Sequence, residues 1–442
     1  MTRARSPVIR GSRERALWLA TLGFFGGFAG VAVFGPLVPR FAAVLHLTAL
    51  QGGLLAAIAS LTGSLLRIPF GAWVDRVGGR RPFLTLLGLA FLGVAGLTVL
   101  LATRYPDHMA GTYPALLILG MLAGCGIAAF SVGVPQVSYW FPRAQQGGPL
   151  GIYAGLGNLA PGIFSGLLPV AVGALGLVGA YVTWLLLVAL IMAVYAIGIT
   201  DAPWFQLRQQ GLPADERELA TYGQELVPAT SAAEGFRQAS SEAATWALVA
   251  FYFTSFGGFI ALTAWLPTYW HEVYRVSLVQ GGLLTLTFSA FASLVRVPGG
   301  LLADRLPITY ALQGNFLLIG IGALAMALSG QFAVSLAATL VIALGMGLQN
   351  AVVFKLLPRY VPHAVGSASG LVGGLGAFGG FVIPPVMGAI AGALGAPHGY
   401  ARGFLVFVVL VVIDLVFVWL LGGAYEGTTR APGGVSSIHG KG

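Results

Sequence analysis

Two arginines, Arg67 and Arg296, stand inside long apolar stretches of the sequence. Each precedes an aspartate by eight residues, Asp75 and Asp304 respectively. In a helix, that spacing places the arginine ~12 Å inward from the end of its apolar stretch. An arginine so deep in a bilayer costs several kcal/mol unless it is paired or faces a water-filled cavity. Neither stretch carries an acidic residue placed to pair with its arginine, so we expect both to face a central site that binds an anion.

The shape of the guanidinium group narrows the choice of anion. It is a planar fork that donates paired hydrogen bonds to planar oxyanions. Nitrate, nitrite, bicarbonate, formate and other carboxylates all share that geometry, and charge alone does not separate them. The alternative role for a single arginine is snorkelling of its head group to the membrane interface. Snorkelling explains two arginines in matched positions poorly.

The elements that position these arginines are predicted to be membrane helices. Of 442 residues, 57% are hydrophobic and 8% are charged, against roughly 25% charged in a typical soluble domain. Apolar stretches long enough to cross a bilayer, about 20 residues, begin near Leu17, Gly52, Phe83, Pro114, Pro149, Val172, Thr245, Gly281, Thr309, Phe332, Ala364 and Arg402. The predicted fold class is an all-α integral membrane protein with twelve transmembrane helices.

An internal repeat divides the chain into two halves. Residues 51–76 and 280–305 are identical at thirteen of 26 positions, including the arginine, a proline and an Asp-Arg pair. A polar segment separates the sixth and seventh stretches. We therefore predict a six-helix half at 1–200, a cytoplasmic linker at 201–244, and a six-helix half with a short tail at 245–442. Two six-helix halves related by a parallel repeat are typical of secondary transporters.

Charge and cysteine content limit location and partners. The net charge of +9 lies in alternate loops, with seventeen Lys and Arg on one predicted side and four on the other. This bias places both termini in the cytoplasm and favours the lipid bilayer over nucleic acid as a partner. The single cysteine, Cys125, excludes an internal disulfide and any multi-cysteine metal site. We expect a monomer in the cytoplasmic membrane, with no cofactor or metal.

The loop that closes the second predicted span, residues 71–81, resembles the signature loop of the major facilitator superfamily. Its charged residues are Asp75, Arg76, Arg80 and Arg81. The eighth predicted span ends in a degenerate copy with Asp304 and Arg305. We interpret Asp75 as part of a conformational latch that accepts hydrogen bonds from a neighbouring helix N-terminus and pairs with nearby arginines. The alternative is a solvated basic loop that only sets topology.

Two glycine-rich segments carry a more specific resemblance. Residues 154–159 (AGLGNL) and 373–380 (GGLGAFGG) resemble the two nitrate signatures of the nitrate/nitrite porter (NarK-type) family. Ala160-Pro161 departs from this pattern, where more glycine is expected. The residues that match are Gly155, Gly157, Asn158, Gly373, Gly374 and Gly376. Without the resemblance, these glycines indicate only close helix packing, and Asn158 a polar contact between helices.

The same resemblance implies roles for five aromatic residues. Phe130 and Phe354 match an aromatic pair that sandwiches a planar anion, and Tyr252 matches a hydroxyl donor. Phe256, with Phe25, is implied to narrow the pathway. Taken alone, an aromatic side chain in a membrane helix more often packs in the core or against lipid.

The function expected from these observations is transport of nitrate and nitrite by alternating access, as an exchange. Proton-coupled nitrate symport and transport of another small planar anion are the alternatives. Deep titratable groups are scarce, and Asp414 is expected on a peripheral helix. An integral-membrane enzyme would need a cluster of His, Asp or Glu in the spans, and an anion sensor would need a longer linker for a signalling domain.

Overall fold

A computed structural model describes residues 8–227, 232–305, 307–361 and 365–429. Helices account for nearly all of this part of the chain. Spans 1 to 4 are Arg13–Leu45, Ala49–Val77, Arg80–Arg104 and Tyr113–Ser138. Spans 7 to 12 are Ala243–Tyr274, Leu278–Arg296, Ile308–Leu328, Phe332–Leu357, Gly366–Leu394 and His398–Leu421. The helix of span 8 continues to Arg305.

The apolar segment between spans 4 and 7, Gly147–Gly198, is too long for one crossing. It has 52 residues, whereas about 20 suffice to cross a bilayer. Gly176 interrupts it with φ 71° and ψ 171°, a conformation that glycine adopts without a Cβ clash. The break gives span 5 (147–175) and span 6 (177–198), so the prediction of twelve transmembrane helices is confirmed. The sixth span begins a few residues later than predicted.

The sequence repeat recurs in backbone geometry. Spans 2 and 8 each begin with a capping box, at 48–51 and 277–280. In each box a hydroxyl residue and a glutamine accept, through their side chains, a hydrogen bond from the other residue's backbone N–H. Five residues before each glutamine, the preceding span ends in a left-handed residue, His46 (φ 53°) and Arg275 (φ 55°). Both halves therefore connect these two spans with the same left-handed residue and the same helix cap.

The two halves pack closely at the end of the bundle opposite the termini. There span 2 lies against span 11 and span 5 against span 8. A side chain on Gly53 would collide with the Pro384 carbonyl, and one on Gly388 with the Ala49 carbonyl. Glycine permits this backbone-to-backbone approach of membrane helices.

At the other end, spans 5 and 8 diverge. Gly151, Gly155, Asn158 and Gly162 form one stripe along span 5, since they recur every three or four residues. Gly162 packs on Ser289 of span 8, whereas a methyl group added to Gly151 or Gly155 would have no neighbour within 4 Å. The two halves are thus packed closely at one end and less closely at the end where the described chain begins.

Polar helices connect the halves. They are Pro203–Gln209, Glu216–Thr221 and Ala232–Ser241. The start of the chain pairs with the first of them, because Gln206 and Gln210 exchange hydrogen bonds with the backbone at Arg10 and Val8. The N-terminus and the linker therefore lie on the same side of the bundle.

Candidate anion-binding site

Arg67 lies in the middle of the bundle, at a local break in span 2. One residue, Leu66, separates the helix Ala49–Leu65 from the helix Arg67–Val77. The Arg67 side chain is only 1% exposed. Its Nε donates to the Gly63 carbonyl (3.3 Å), and its Nη1 donates to the Gly373 carbonyl in span 11 (3.2 Å). Nη2 is buried with no acceptor in the described chain, so one arm of the fork is available to a ligand.

Aromatic rings flank the Arg67 guanidinium. Its Cζ lies 5.2 Å from the centre of the Phe130 ring and 5.1 Å from that of Phe256. Such cation–π contacts stabilise a desolvated cation by about 1–2 kcal/mol each. The rings also fix the plane of the guanidinium, and they exclude water from it.

Span 7 supplies Tyr252 and Phe256 from around a π-helical turn. The turn, Phe253–Gly257, is of the kind often found at functional sites. The Tyr252 and Phe256 rings stack with centres 4.7 Å apart and planes 10° apart. Phe354 of span 10 meets the Tyr252 ring edge-on at 5.0 Å. These three aromatic residues form a continuous wall that begins at Arg67.

The charges of both arginines act on the Tyr252 hydroxyl. Arg67 and Arg296 interact electrostatically with Tyr252, and Arg67 and Arg296 also repel each other. The Tyr252 hydroxyl is buried beside the Arg296 guanidinium without a hydrogen bond of good geometry. The ion pairs in the described part of the chain join other residues. No carboxylate of that part therefore lies within 4 Å of the Arg67 or Arg296 guanidinium. The structure therefore brings two cations and a free hydroxyl donor together.

Asn158 reaches the same region from span 5. It is 2% exposed, and its backbone carbonyl accepts a hydrogen bond from Ser293 Oγ (3.2 Å). Ser293 lies one turn before Arg296, so this bond joins span 5 to the segment of span 8 that carries the second arginine. Its Oδ1 has no partner among the described residues, and rotation of the amide would present Nδ2 instead.

The signature glycines make specific close approaches. A side chain on Gly157 would collide with the Phe24 ring, and one on Gly376 with Tyr252. Gly374 packs on Ile68 of span 2, next to Arg67. Gly373 supplies the carbonyl that Arg67 binds, and Gly155 faces open space.

The structure does not bring Phe25 and Phe256 together. The Phe25 ring packs on Phe164 at 6.1 Å, whereas Phe28 stacks on Phe256 at 6.1 Å with planes 10° apart. Phe28 was not predicted, although it belongs to the same Phe-Gly-Gly-Phe sequence as Phe25. No ring contact joins Phe130 to Phe354 in the described chain, because Phe130 lies at Arg67 and Phe354 at Tyr252.

In the loop after span 2, the hydrogen-bond partner of Asp75 differs from the partners predicted for the latch. Asp75 Oδ1 accepts a hydrogen bond from the Tyr139 hydroxyl (2.6 Å). Asp201, at the end of span 6, accepts instead from the Arg80 backbone N–H at the start of span 3 (2.9 Å). Arg80 donates to the Ala196 carbonyl, and Arg76 and Arg81 are exposed. The side chains of Asp304 and Arg305 lie outside the described residues.

Span 12, the helix that carries Asp414, is peripheral as expected, because only 28% of it is buried inside the protein. The Asp414 side chain lies on its inward face and is 1% exposed. Span 12 is apolar on all faces, so its sequence does not reveal that orientation.

Two six-span repeats around a central polar site, packed closely at one end and less closely at the other, form the architecture of a secondary transporter. The sequence model of the Major Facilitator Superfamily matches residues 20–384. The chain is 31% identical, over 93% of its length and 91% of the relative's, to the "Probable nitrate/nitrite antiporter NarK1" of Thermus thermophilus. It is 29% identical, over 92% of its length and 95% of the relative's, to the "Probable nitrate transporter NarT" of Staphylococcus carnosus. The chain belongs to the major facilitator superfamily, in its NarK-type nitrate/nitrite porter family.

Solved structures agree with this fold. A D-xylose–proton symporter superposes with a TM-score of 0.71 at 14% identity, covering 92% of this chain and 98% of the other. A bacterial homologue of the human lysosomal transporter Spinster, in an inward-facing and unoccupied conformation, gives 0.68 at 17% identity, covering 95% and 99%. At these identities the likeness extends to the fold alone.

Proposed function

We propose that the protein exchanges nitrate and nitrite across the cytoplasmic membrane by alternating access. The observation that carries the proposal is the pair of buried donors, Arg67 Nη2 and the Tyr252 hydroxyl, neither bonded to a protein acceptor and both within the electrostatic influence of Arg296. A buried donor without an acceptor costs about 1–3 kcal/mol. A planar anion with several acceptor oxygens removes that cost and neutralises one positive charge. The names of the two relatives agree with nitrate and nitrite as that anion.

The surroundings favour a small, weakly hydrated, planar ligand. The Phe130 and Phe256 rings flank the Arg67 guanidinium, and its free Nη2 would donate to an oxygen of the anion. Phe354 and Tyr252 line the rest of the wall. Asn158 adds a directional hydrogen bond from the opposite half of the site. Electrostatic attraction is strong here because little water screens it.

Alternating access follows from the asymmetry between the two ends of the bundle. The glycine contacts of spans 2 and 11 close one end, and spans 5 and 8 diverge at the other. Rocking of one half against the other around the central site would reverse this arrangement. Arg67 binds the Gly373 carbonyl of the opposite half, so it responds to that motion.

Exchange is favoured over net uptake by the charge of the site. Without an anion, the two arginines leave an uncompensated charge of +2 in a poorly solvated region, which makes reorientation costly. One bound anion lowers that charge and eases the transition. Each transition then carries an anion, and nitrate entry is tied to nitrite exit.

Uptake of labelled nitrate into proteoliposomes tests the exchange. Vesicles preloaded with nitrite should take up nitrate rapidly, and an imposed pH gradient should change the rate little. Vesicles loaded with an impermeant buffer are the control and should show little uptake. Robust uptake into such anion-free vesicles, driven by an inward proton gradient, would show proton symport in place of exchange.

The remaining features of the proposal follow from the sequence. The protein acts as a monomeric transporter and not as an enzyme, with both termini in the cytoplasm and no nucleic-acid partner. Its halves correspond to 1–200 and 245–442, joined by the linker at 201–244. Transport of another small planar anion is the alternative, and competition by formate and bicarbonate in the same vesicles distinguishes it.

A further inference from the structure

Spans 2 and 8 are equivalent in the sequence repeat, and each packs on a glycine of the opposite half. Ser60 of span 2 and Ser289 of span 8 occupy matching positions in the repeat. A methyl group on Gly380 of span 11 would lie 3.3 Å from the Ser60 Cβ. One on Gly162 of span 5 would lie 2.5 Å from the Ser289 Cβ. These two contacts therefore define a common register for the two places where the halves meet.

Two helical turns further on, this register predicts an arginine opposite a glycine in both places. Arg67 and Arg296 each lie seven residues after the matching serine. Gly373 and Gly155 each lie seven residues before the matching glycine. Seven residues are about two turns of a helix, and the paired spans run in opposite directions. Between spans 2 and 11 the structure has the predicted pairing, because Arg67 Nη1 donates to the Gly373 carbonyl at 3.2 Å.

Between spans 5 and 8 the equivalent pairing is not made in this conformation. A methyl group on Gly155 would have no neighbour within 4 Å. One turn away, Ser293 Oγ still donates to the Asn158 carbonyl at 3.2 Å. The two spans therefore separate within one turn of Gly155, and the gap lies at the level that the register assigns to Arg296.

The Gly155 carbonyl is also released by its own helix. Leu159 caps the end of the helix Gly147–Asn158, and its N–H donates to the Leu156 carbonyl at 3.2 Å. A regular α-helix would direct that N–H to Gly155. Pro161 follows two residues later and has no N–H to continue the regular pattern. Gly155 thus presents a carbonyl without its usual helical donor, on the stripe of span 5 that packs against span 8.

We propose that the Gly155 carbonyl positions Arg296 in the conformation in which spans 5 and 8 meet along their length. Its role there matches that of the Gly373 carbonyl for Arg67 in the present structure. The inference rests on the proposed function of the central site. Closure of the gap removes water from the Arg296 guanidinium, and a desolvated cation needs acceptors. The carbonyl supplies one acceptor and the bound anion supplies another, so the bond stabilises the transition and not the binding conformation.

The direct test weakens the carbonyl without changing a side chain. Incorporation of the α-hydroxy acid analogue of leucine at Leu156 converts the Gly155 carbonyl from an amide into an ester, which is a weaker acceptor. The initial rate of labelled-nitrate exchange in proteoliposomes should fall about tenfold, the equivalent of one charge-assisted hydrogen bond. The nitrate dissociation constant of the purified full-length protein should stay at the wild-type value, because the binding conformation lacks this bond.

Leu190 is the matched control for the ester. It lies on the helix of span 6, and its side chain is 60% exposed. The same substitution there also removes one helical N–H and weakens one carbonyl, but it should leave the exchange rate unchanged. Gly155→Ala should slow exchange as well, because its methyl group occupies the gap that must close. Gly173→Ala, which also adds a methyl group with no neighbour within 4 Å, should exchange as the wild type does.

The outcomes separate this role from the proposed function. A wild-type exchange rate in the Leu156 ester or in Gly155→Ala would overturn the role of the carbonyl. Equal slowing by the Leu190 ester, or a loss of nitrate affinity as large as the loss of rate, would overturn it too. Wild-type protein that neither binds nor exchanges nitrate would instead refute the proposed function.

Discussion

Arg67→Lys separates the geometry of the guanidinium from its charge. Lysine keeps the positive charge but is a point donor, so it loses the paired fork. It also loses much of the stacking between Phe130 and Phe256, whose ring centres lie 5.2 and 5.1 Å from the Arg67 Cζ. The lost ring contacts are worth about 1–2 kcal/mol, and one charge-assisted hydrogen bond to the anion about 1.5–3 kcal/mol. Together they predict a dissociation constant for nitrate at least about 60-fold higher.

The assay is calorimetric or fluorescence titration of nitrate onto purified protein in detergent, with melting temperature as the test of folding. Arg208→Lys is the matched control. Arg208 lies over the Trp204 ring with its Cζ at 4.7 Å, but on the exposed linker helix and outside the site. That variant should bind nitrate as the wild type does. A folded Arg67→Lys protein that binds nitrate within about threefold of the wild type would refute the paired-fork reasoning.

Other variants probe packing and cycling. Gly376→Ala places a Cβ against the buried Tyr252 side chain, so it should weaken nitrate binding about tenfold or more in the same titration. The control, Gly155→Ala, adds its methyl group in open space and should leave the affinity unchanged. Equal affinities for the two variants would contradict the packing role of Gly376. Asp75→Asn should slow nitrate exchange in vesicles with little change in affinity, because Asp75 lies at a helix end away from the site. Tyr139→Phe removes the hydroxyl that Asp75 accepts and should slow exchange similarly, whereas a large loss of affinity with normal turnover in either variant would argue against a latch.

The sequence singles out the arginine pair because burial of a charge is so costly. An arginine among apolar residues requires a compensating partner or ligand, and the repeat places the second arginine in register with the first. The structure adds the partners that sequence spacing does not reveal. Gly63 and Gly373 carbonyls hold Arg67, and backbone acceptors leave no mark in residue type.

The aromatic residues show where helical spacing does not predict which side chains come into contact. Span 1 changes to a 3₁₀ turn at Ala29–Ala32, and span 7 contains the π-helical turn Phe253–Gly257. Phe25 and Phe28 both precede the 3₁₀ turn, in one regular helix, so helical spacing alone does not indicate that Phe28 instead of Phe25 lies on Phe256. The inward orientation of Asp414 on its peripheral helix is not predicted for a different reason. A helix that is apolar on every side carries no periodic signal of its buried face.

Counterflow in proteoliposomes is the most direct test of the proposed nitrate/nitrite exchange through the arginine pair. Vesicles that contain wild-type protein and excess unlabelled nitrate or nitrite should transiently accumulate labelled nitrate above its equilibrium level. Vesicles with the Arg67→Lys, Arg296→Lys double variant should show no such overshoot at equal protein content. An overshoot of wild-type size in the double variant, or none in wild-type vesicles loaded with nitrite, would contradict exchange at this site.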